Sequence, residues 1–182
     1  MLRTICYGWL ILVCAGILPA QKPDLHLETF TYRQGLSDNR VRAIMQDETG
    51  FLWIGTAHGL NRFDGYMFWH YFPDKNYSLS ISNQTVNQIA KDRSGNLWLA
   101  TGNGICRLRS SPWTFDRVFV YPDQIKSKRS TYFEHVYPDP LGKIWALNSH
   151  NELFCIDPEK KQSERILMPV VPNPPATVHA AE

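Results

Sequence analysis

The hydrophobic positions of the chain fall into short runs that recur along its length. The runs are rich in Val, Ile, Phe, Trp and Tyr and are bounded by Gly, Asp, Asn and Ser, a pattern typical of strands separated by turns. The clearest run, Asp47–Thr56, returns as Asp92–Thr101, and a more divergent copy spans Asp139–Leu147. The tryptophans in these copies lie about 45 and about 47 residues apart, a period that indicates propeller blades.

Alignment of the copies on their tryptophans predicts four strands in each unit. An apolar residue lies six positions before each repeated aspartate and another lies three positions before it. These positions predict a first, inner strand over 41–46, 86–91 and 133–138. The tryptophan strands follow over 51–56, 96–101 and 143–148, the third strands over 60–64, 105–109 and 153–157, and the outer strands over 66–72, 114–120 and 162–168.

The Asp-x-x-Gly segment between the first two strands is interpreted as a turn. Asp can accept hydrogen bonds from its own following backbone, and Gly supplies a positive φ without steric cost. Three repeated aspartates could also form a metal site, but their places in separate turns favour the turn, and no metal or cofactor is expected. The tryptophans Trp53, Trp98 and Trp145 are predicted to form the blade core, filling the space between adjacent blades with each indole N–H bonded to a backbone partner.

The predicted fold class is all-β, an incomplete β-propeller of about three four-stranded antiparallel blades. The blades span about 36–72, 81–120 and 131–168, within a domain over 21–168. Residues 26–32 resemble an outer strand without a blade and are predicted to be an orphan N-terminal outer strand. Closed rings use about four to eight blades, so three predict an open one. The Pro-rich residues 169–182 predict an extended tail.

The N-terminal segment and the net charge of the chain bear on its cellular location and on its partners. Residues 1–20 hold Arg3 and an apolar run from Ile5 to Leu18, which is typical of a secretory signal peptide. The alternative is an uncleaved anchor in the inner membrane. The formal net charge of the chain is +2, and this near balance argues against a nucleic-acid partner, which needs clustered Lys and Arg.

Three segments together carry a family resemblance: Leu36–Val41, Asp47–Thr56 and Gly59–Gly65. They closely resemble the two-component regulator propeller repeats of bacterial hybrid sensor kinases, notably those of gut Bacteroidota. The resemblance covers residues 26–157 and weakens in the third unit, where Ala146-Leu147 replaces Gly-Thr.

This resemblance implies a periplasmic sensor that responds to oligosaccharides and regulates polysaccharide-utilisation genes. In the family, a membrane helix leads from the propellers to a cytoplasmic histidine kinase, a receiver and a DNA-binding module. No phosphoacceptor-histidine region or ATP-binding glycine motif is visible in the 182 residues, so this chain itself is expected not to be an enzyme.

Propellers generally bind ligands where loops meet the central funnel, which the inner strands line. Polar residues near the inner strands are therefore the candidate ligand-binding residues, namely Asn39, Arg40, Arg42, Asn83 and Asn87. His58 and Asn103, in the loops after the tryptophan strands, are further candidates. Tyr132 could supply the flat aromatic ring that sugar recognition requires.

The sequence leaves two other functions open. The first is a glycan lyase or hydrolase, but the six histidines are scattered without metal-ligand spacing, and the adjacent Glu134 and His135 should face opposite sides of a strand. The second is a structural or partner-binding module without a ligand of its own. An incomplete ring exposes strand edges, which pair with other propeller blades or with a second chain.

Overall fold

The computed structural model describes residues 27–110, 113–118, 131–160 and 162–167. In this part of the chain, twelve strands form three antiparallel sheets of four strands each, so the fold is all-β as predicted. The predicted signal peptide over 1–20 and the predicted tail over 169–182 lie outside the described residues. Among those that are described, no helix has the length and apolar character needed to cross a bilayer.

In each sheet the four strands are hydrogen-bonded in chain order, and each sheet is one blade. Blade 1 consists of β1 (Val41–Gln46), β2 (Leu52–Thr56), β3 (Gly59–Phe63) and β4 (Phe68–Tyr71). Blade 2 consists of β5 (Val86–Lys91), β6 (Leu97–Thr101), β7 (Gly104–Ser110) and β8 (Trp113–Val118). Blade 3 consists of β9 (Phe133–Pro138), β10 (Ile144–Asn148), β11 (Leu153–Asp157) and β12 (Gln162–Ile166). The inner strands have the predicted bounds, and the other strands begin and end within about two residues of theirs.

The repeated aspartate builds the turn between the first two strands of each blade. In blade 1, Asp47 Oδ1 accepts hydrogen bonds from the backbone N–H groups of Thr49 and Phe51, at 2.9 and 3.1 Å. Gly50 takes φ of 92°, a left-handed conformation that only glycine adopts readily. The turn interpretation of Asp-x-x-Gly is therefore confirmed.

The blades pack side by side, with their first strands closest together. β5 lies against β1 on one side and against β9 on the other. Trp53 shares one buried cluster with Val86 and Ile89 of blade 2, and Trp98 shares a second cluster with Phe133 of blade 3. The predicted inter-blade role of these two tryptophans is confirmed, because each indole fills the seam between its own blade and the next.

The hydrogen-bond partner of the indoles differs from the prediction. Trp53 Nε1 donates to Asp47 Oδ2 at 2.7 Å, and the same bond joins Trp98 to Asp92 at 2.9 Å. In blade 3, Trp145 Nε1 donates to Asp139 Oδ2 at 3.1 Å. The predicted backbone partner was wrong because the backbone of each tryptophan strand is already paired on both sides. The turn leaves the second carboxylate oxygen of the aspartate available instead.

The predicted orphan strand over 26–32 does not form in residues 27–32. Tyr32–Gln34 is a 3₁₀ turn, and Thr31 caps it through a capping box with Gln34. The ring of Phe30 packs against Phe63 and Phe68 of blade 1, at centroid distances of 5.1 and 5.7 Å. In the described part of the chain no strand lies alongside residues 27–31 to complete a ladder, so local capping and aromatic packing determine their course.

Candidate functional site

The first strand of every blade carries a β-bulge at its second residue. In blade 1, Val41 pairs with Thr56 and Ala43 pairs with Gly55, so Arg42 lies outside the ladder. The same shift bypasses Asn87 in β5 and Glu134 in β9. A bulge bends its strand and re-aims the side chain of the extra residue. Each blade therefore presents one polar side chain from the same place on its inner strand.

Hydrogen bonds join two of these positions, Arg42 and Asn87, and continue from Asn87 to blade 3. Arg42 Nη1 donates to Asn87 Oδ1 at 3.2 Å, and the hydroxyl of Tyr132 donates to the same oxygen at 3.0 Å. Asn87 Nδ2 donates to the backbone carbonyl of Phe133 at 2.7 Å. Asn87 of blade 2 thus holds one residue of blade 1 and two residues at the start of the inner strand of blade 3.

Gln88 adds a second connection between blades 2 and 3. Its Oε1 accepts a hydrogen bond from the backbone N–H of Val136 at 2.9 Å and lies 3.2 Å from His135 Nδ1. The imidazole of His135 is stacked on the ring of Tyr137, with 22° between the planes. We use the term polar row for the residues Arg42, Asn87, Gln88, Tyr132, Glu134 and His135.

The structure brings three of the predicted site residues together, namely Arg42, Asn87 and Tyr132. Arg40 instead forms an ion pair with Asp38, in which its guanidinium lies 3.0 Å from the carboxylate. The hydrogen bonds from Arg40 lower the pKa of the Asp38 carboxyl to about 2.

The other predicted site residues take part in local turns. Asn39 Oδ1 accepts from the backbone N–H of Tyr32 at 2.8 Å, and Asn83 Oδ1 accepts from that of Thr85 at 2.9 Å. His58 and Asn103 occupy equivalent turns, where the backbone N–H of each donates to the threonine two residues earlier at 3.1 Å. The side chain of His58 also packs near the ring of Phe72, with 5.7 Å between centroids.

Sequence reasoning does not identify Gln88 as a site residue, and it considers Glu134 and His135 only as an adjacent acid–histidine pair. Alternation along a strand predicts that neighbouring side chains point to opposite faces, but a bulge at Glu134 breaks that alternation. One signal was present in the alignment, because Arg42, Asn87 and Glu134 occupy the same position of the repeat and all three are polar.

A separate cavity of about 540 Å³ lies beside the outer strand of blade 2, away from the polar row. The cationic side chains in its wall already have partners. Arg107 and Arg109 bind the carboxylate of Asp116 at 3.0 and 2.8 Å. Burial raises the pKa of Asp116, but hydrogen bonds from both arginines outweigh it and lower the pKa overall. Arg117 Nε donates to the backbone carbonyl of Ser80 at 2.9 Å. The polar row is therefore the stronger candidate site.

No group of three or more His, Cys, Asp or Glu side chains in the described ranges is placed to hold a metal ion. The chemistry available at the polar row is therefore hydrogen bonding, with one cation at Arg42 and one anion at Glu134. Such a set can bind a polar ligand.

Three antiparallel four-stranded blades, packed through tryptophans and gathered on their first strands, define the fold as part of a β-propeller. Residues 35–58 and 80–103 match the two component regulator propeller family. The matched segments lie in blades 1 and 2, and the match agrees with the resemblance inferred from the sequence.

A curated relative is histidine kinase P4 of Formosa agariphila, which is 44% identical over 64 residues, or 35% of this chain and 5% of the kinase. Among solved structures, the extracellular domain of the hybrid two component system BT3049 from B. thetaiotaomicron is similar with a TM-score of 0.68 and 26% identity. That match covers 81% of this chain and 21% of the other.

The extracellular domain of BT4673 from B. thetaiotaomicron has the same fold, with a TM-score of 0.64 and 23% identity over 78% of this chain and 21% of that one. The chain therefore spans about a twentieth of the curated relative and about a fifth of these solved chains.

Proposed function

We propose that this chain is the periplasmic ligand-sensing propeller part of a hybrid two-component sensor, and that its polar row binds an oligosaccharide. The regulator propeller repeats and the similarity to an extracellular domain of a hybrid two-component system support the sensor assignment. The observation that carries the binding site is the hydrogen-bonded set of Arg42, Asn87 and Tyr132, drawn from three blades.

The polar row has the donors and acceptors that sugar hydroxyls require. The guanidinium of Arg42 has five N–H donors, and Asn87 engages one of its nitrogens. Asn87 keeps a second N–H beside the one bonded to Phe133, and the exposed carboxylate of Glu134 is an acceptor. A ligand with several hydroxyl groups can pair with donors and acceptors at once, which a purely anionic or cationic ligand cannot.

The row is also held in place before any ligand arrives. Three hydrogen bonds fix the amide of Asn87, and two groups on blade 3 fix the amide oxygen of Gln88. Preorganised groups bind more tightly because less side-chain entropy is lost on binding. The bonds of the polar row cross both blade seams, so a ligand that binds the row contacts all three blades at once.

The binding site is tested on an oligosaccharide array with the full chain and single variants. Arg42→Ala and Asn87→Ala are expected to lower binding at least tenfold, whereas Arg93→Ala, an exposed arginine beyond the far end of β5, should leave it unchanged. After incubation with the full chain, the oligosaccharide should be recovered at its original length. Retention of affinity in both polar-row variants would refute the site, and release of shorter sugars would refute a purely sensory role.

The signalling role is tested in cells that carry this propeller joined to its kinase. Addition of the bound oligosaccharide should raise transcription of polysaccharide-utilisation genes, and Asn87→Ala should abolish that response. In spheroplasts of the same cells, protease added from outside should digest the propeller, and its N-terminus should lack residues 1–20. A response that persists in the Asn87→Ala strain would show that sensing occurs elsewhere in the protein.

A further inference from the structure

Arg62, on the third strand of blade 1, is a cation with no oxygen partner among the described residues. It is half-buried and pairs with Trp53 on β2 and with Trp69 on β4. In the described part of the chain, its Nε is the only buried side-chain nitrogen or oxygen that lacks a hydrogen-bond partner. No described residue accepts a hydrogen bond from its two terminal nitrogens either. Buried polar groups in native proteins nearly always have partners, so this guanidinium requires an explanation.

Three aromatic rings lie around the guanidinium. Its Cζ is 4.6 Å from the ring centroid of Phe51, 4.9 Å from that of Trp113 and 5.6 Å from that of Trp69. Phe51 and Trp69 belong to blade 1, whereas Trp113 begins β8 of blade 2, so the cation lies at the outer part of the first seam. A ring face attracts a cation, but it does not replace the oxygen acceptors that the five N–H groups of arginine require. The rings therefore position the guanidinium and leave its N–H donors unpaired.

The equivalent arginine of blade 2 has the partner that Arg62 lacks. Arg107 pairs with Trp98 on β6 and with Asp116 on β8. Its Cζ lies 5.6 Å from the ring centroid of Trp98, and its Nη2 donates to the carboxylate of Asp116 at 3.0 Å. In blade 1, Trp69 occupies the place of Asp116. The repeat therefore provides a carboxylate for one arginine and an aromatic ring for the other.

The nearest carboxylate along the chain, that of Asp64, has another role. Its Oδ1 accepts hydrogen bonds from the backbone N–H groups of Tyr66 and Met67, each at 2.9 Å. These bonds build the turn between β3 and β4. The N–H groups of Arg62 are therefore available to a ligand.

We propose that Arg62 and Trp69 form a binding site for a small organic acid, in which the guanidinium pairs with the carboxylate of the ligand and the indole stacks on its ring. The planar fork of arginine matches a carboxylate and can donate two parallel hydrogen bonds to it. Trp69 is 48% exposed beside the guanidinium, so part of its ring is open to an apolar, ring-shaped body. A half-buried charge gains from an acceptor that replaces its lost hydration.

This site lies apart from the polar row. Arg62 is on β3 and Arg42 is on β1, and β2 separates the two strands in the sheet of blade 1. Binding at Arg62 can therefore occur whether or not the polar row binds a sugar.

The site is tested first by calorimetric titration of the full chain with two acids and their neutral counterparts, glucuronate beside glucose and benzoate beside benzyl alcohol. At least one acid should bind at least tenfold more tightly than its neutral counterpart, because the neutral molecule cannot form an ion pair with the guanidinium. Tighter binding of glucuronate would identify the ring as a sugar, and tighter binding of benzoate would identify it as aromatic. Equal affinities within both pairs would overturn the proposal.

Arg62→Lys tests the geometry of the cation. The lysine keeps a positive charge beside the aromatic rings but has no planar fork, so the affinity for the acid should fall at least tenfold. Arg107→Lys is the matched control, at an arginine that already has Asp116, and should leave the affinity unchanged. In NMR spectra of the unmodified chain, the Nε–H signal that is absent from Arg62→Lys should shift as the acid is added. Unchanged affinity in Arg62→Lys, or an Nε–H signal that does not move, would contradict direct binding to Arg62.

A pair of substitutions at Trp69 separates the effect of charge from loss of folding. Trp69→Asp supplies the carboxylate that Asp116 supplies in blade 2, whereas Trp69→Asn has nearly the same shape without the charge. The internal carboxylate should compete with the acid, so Trp69→Asp should bind it at least tenfold more weakly than Trp69→Asn. Thermal unfolding should show that Trp69→Asp is at least as stable as Trp69→Asn, which excludes loss of folding as the cause. Equal affinities of the two variants, including loss of binding in both, would show that the ligand does not take the place of that carboxylate.

Discussion

Trp53 and Trp145 share one local motif but have different surroundings. Each indole N–H donates to the carboxylate of the aspartate six residues earlier, and that aspartate forms the same turn in both blades. Trp53 is nevertheless buried against blade 2, whereas Trp145 is half-buried on the outer side of blade 3. The turn, the strand and the indole bond are therefore local properties of the repeat, and burial depends on the neighbouring blade.

The largest expected effect comes from truncating the two tryptophans. Trp53→Ala should lower the free energy of unfolding by about 3–5 kcal/mol because it leaves a cavity in a closed seam. Trp145→Ala should cost clearly less, since part of its ring already contacts solvent. Urea unfolding followed by circular dichroism measures both losses. Equal losses would show that the seam adds nothing to the local motif.

The next effect concerns how closely blades 1 and 2 approach each other at the seam between them. A Cβ built on Gly55 would lie 2.8 Å from Val86 Cγ1 and 3.1 Å from the backbone oxygen of Val86. Gly55→Ala should therefore cost about 1–3 kcal/mol through overpacking. The reciprocal substitution is Ala100→Gly, at the equivalent place in blade 2, which loses a buried methyl group and gains backbone freedom and should cost about 1–2 kcal/mol. A Gly55→Ala chain as stable as the original would mean that the first seam can open without loss.

A smaller effect is expected from the repeated aspartate. Asp47→Ala removes the acceptor for the buried indole N–H of Trp53 and for two backbone N–H groups, and should cost about 1–2 kcal/mol. Asp47→Asn keeps an oxygen for the turn but cannot accept from the indole with its NH₂ group, so it isolates the indole bond. Asp139→Ala in blade 3 should cost less than Asp47→Ala. Identical unfolding midpoints for Asp47→Ala and the unmodified chain would show that the indole bond does not stabilise the fold.

The smallest effect is a dependence of stability on pH. Burial raises the pKa of Asp47, but its hydrogen bonds to Thr49, Trp53 and Phe51 outweigh burial and lower the pKa overall. Burial opposes the hydrogen bonds of Asp92 in the same way, and its pKa is also lowered. A carboxyl group with a lower pKa in the folded chain stabilises folding above its unfolded pKa of about 3.9 and loses that contribution as the pH falls.

Urea midpoints should therefore decline below about pH 4, and the decline should be shallower in a chain carrying Asp47→Asn and Asp92→Asn. The difference between the two chains is the measured quantity, because Asp38 and Asp116 also have lowered pKa values. Parallel curves for the two chains would exclude a role for these two carboxylates in the acid response.

The strands were predictable because each blade carries its own signals. Turn residues bracket apolar runs at a fixed period, so the bounds of β1, β5 and β9 follow from local chemistry. The orphan strand failed for the opposite reason. A strand needs a partner to satisfy its backbone, and the sequence of residues 26–32 contains no information about whether that partner is present.

The candidate site was predictable only in part. Arg42, Asn87 and Tyr132 were identified because inner strands gather near the axis, which follows from the fold class. Glu134 was not, because a bulge is a property of the pairing between two strands rather than of either strand alone. The indole–aspartate bond was missed for a related reason, since both residues were interpreted separately, one as turn and one as core.

The three bulges separate the charge of the polar row from the strand pairing of the repeat. A residue outside the ladder contributes no backbone pairing to its own sheet, so its side chain can differ between blades without altering that pairing. The chain has an arginine, an asparagine and a glutamate at these equivalent places, a cation, a neutral amide and an anion on one scaffold. A propeller of this kind can therefore change the charge along its polar row by substitution at a single position per blade.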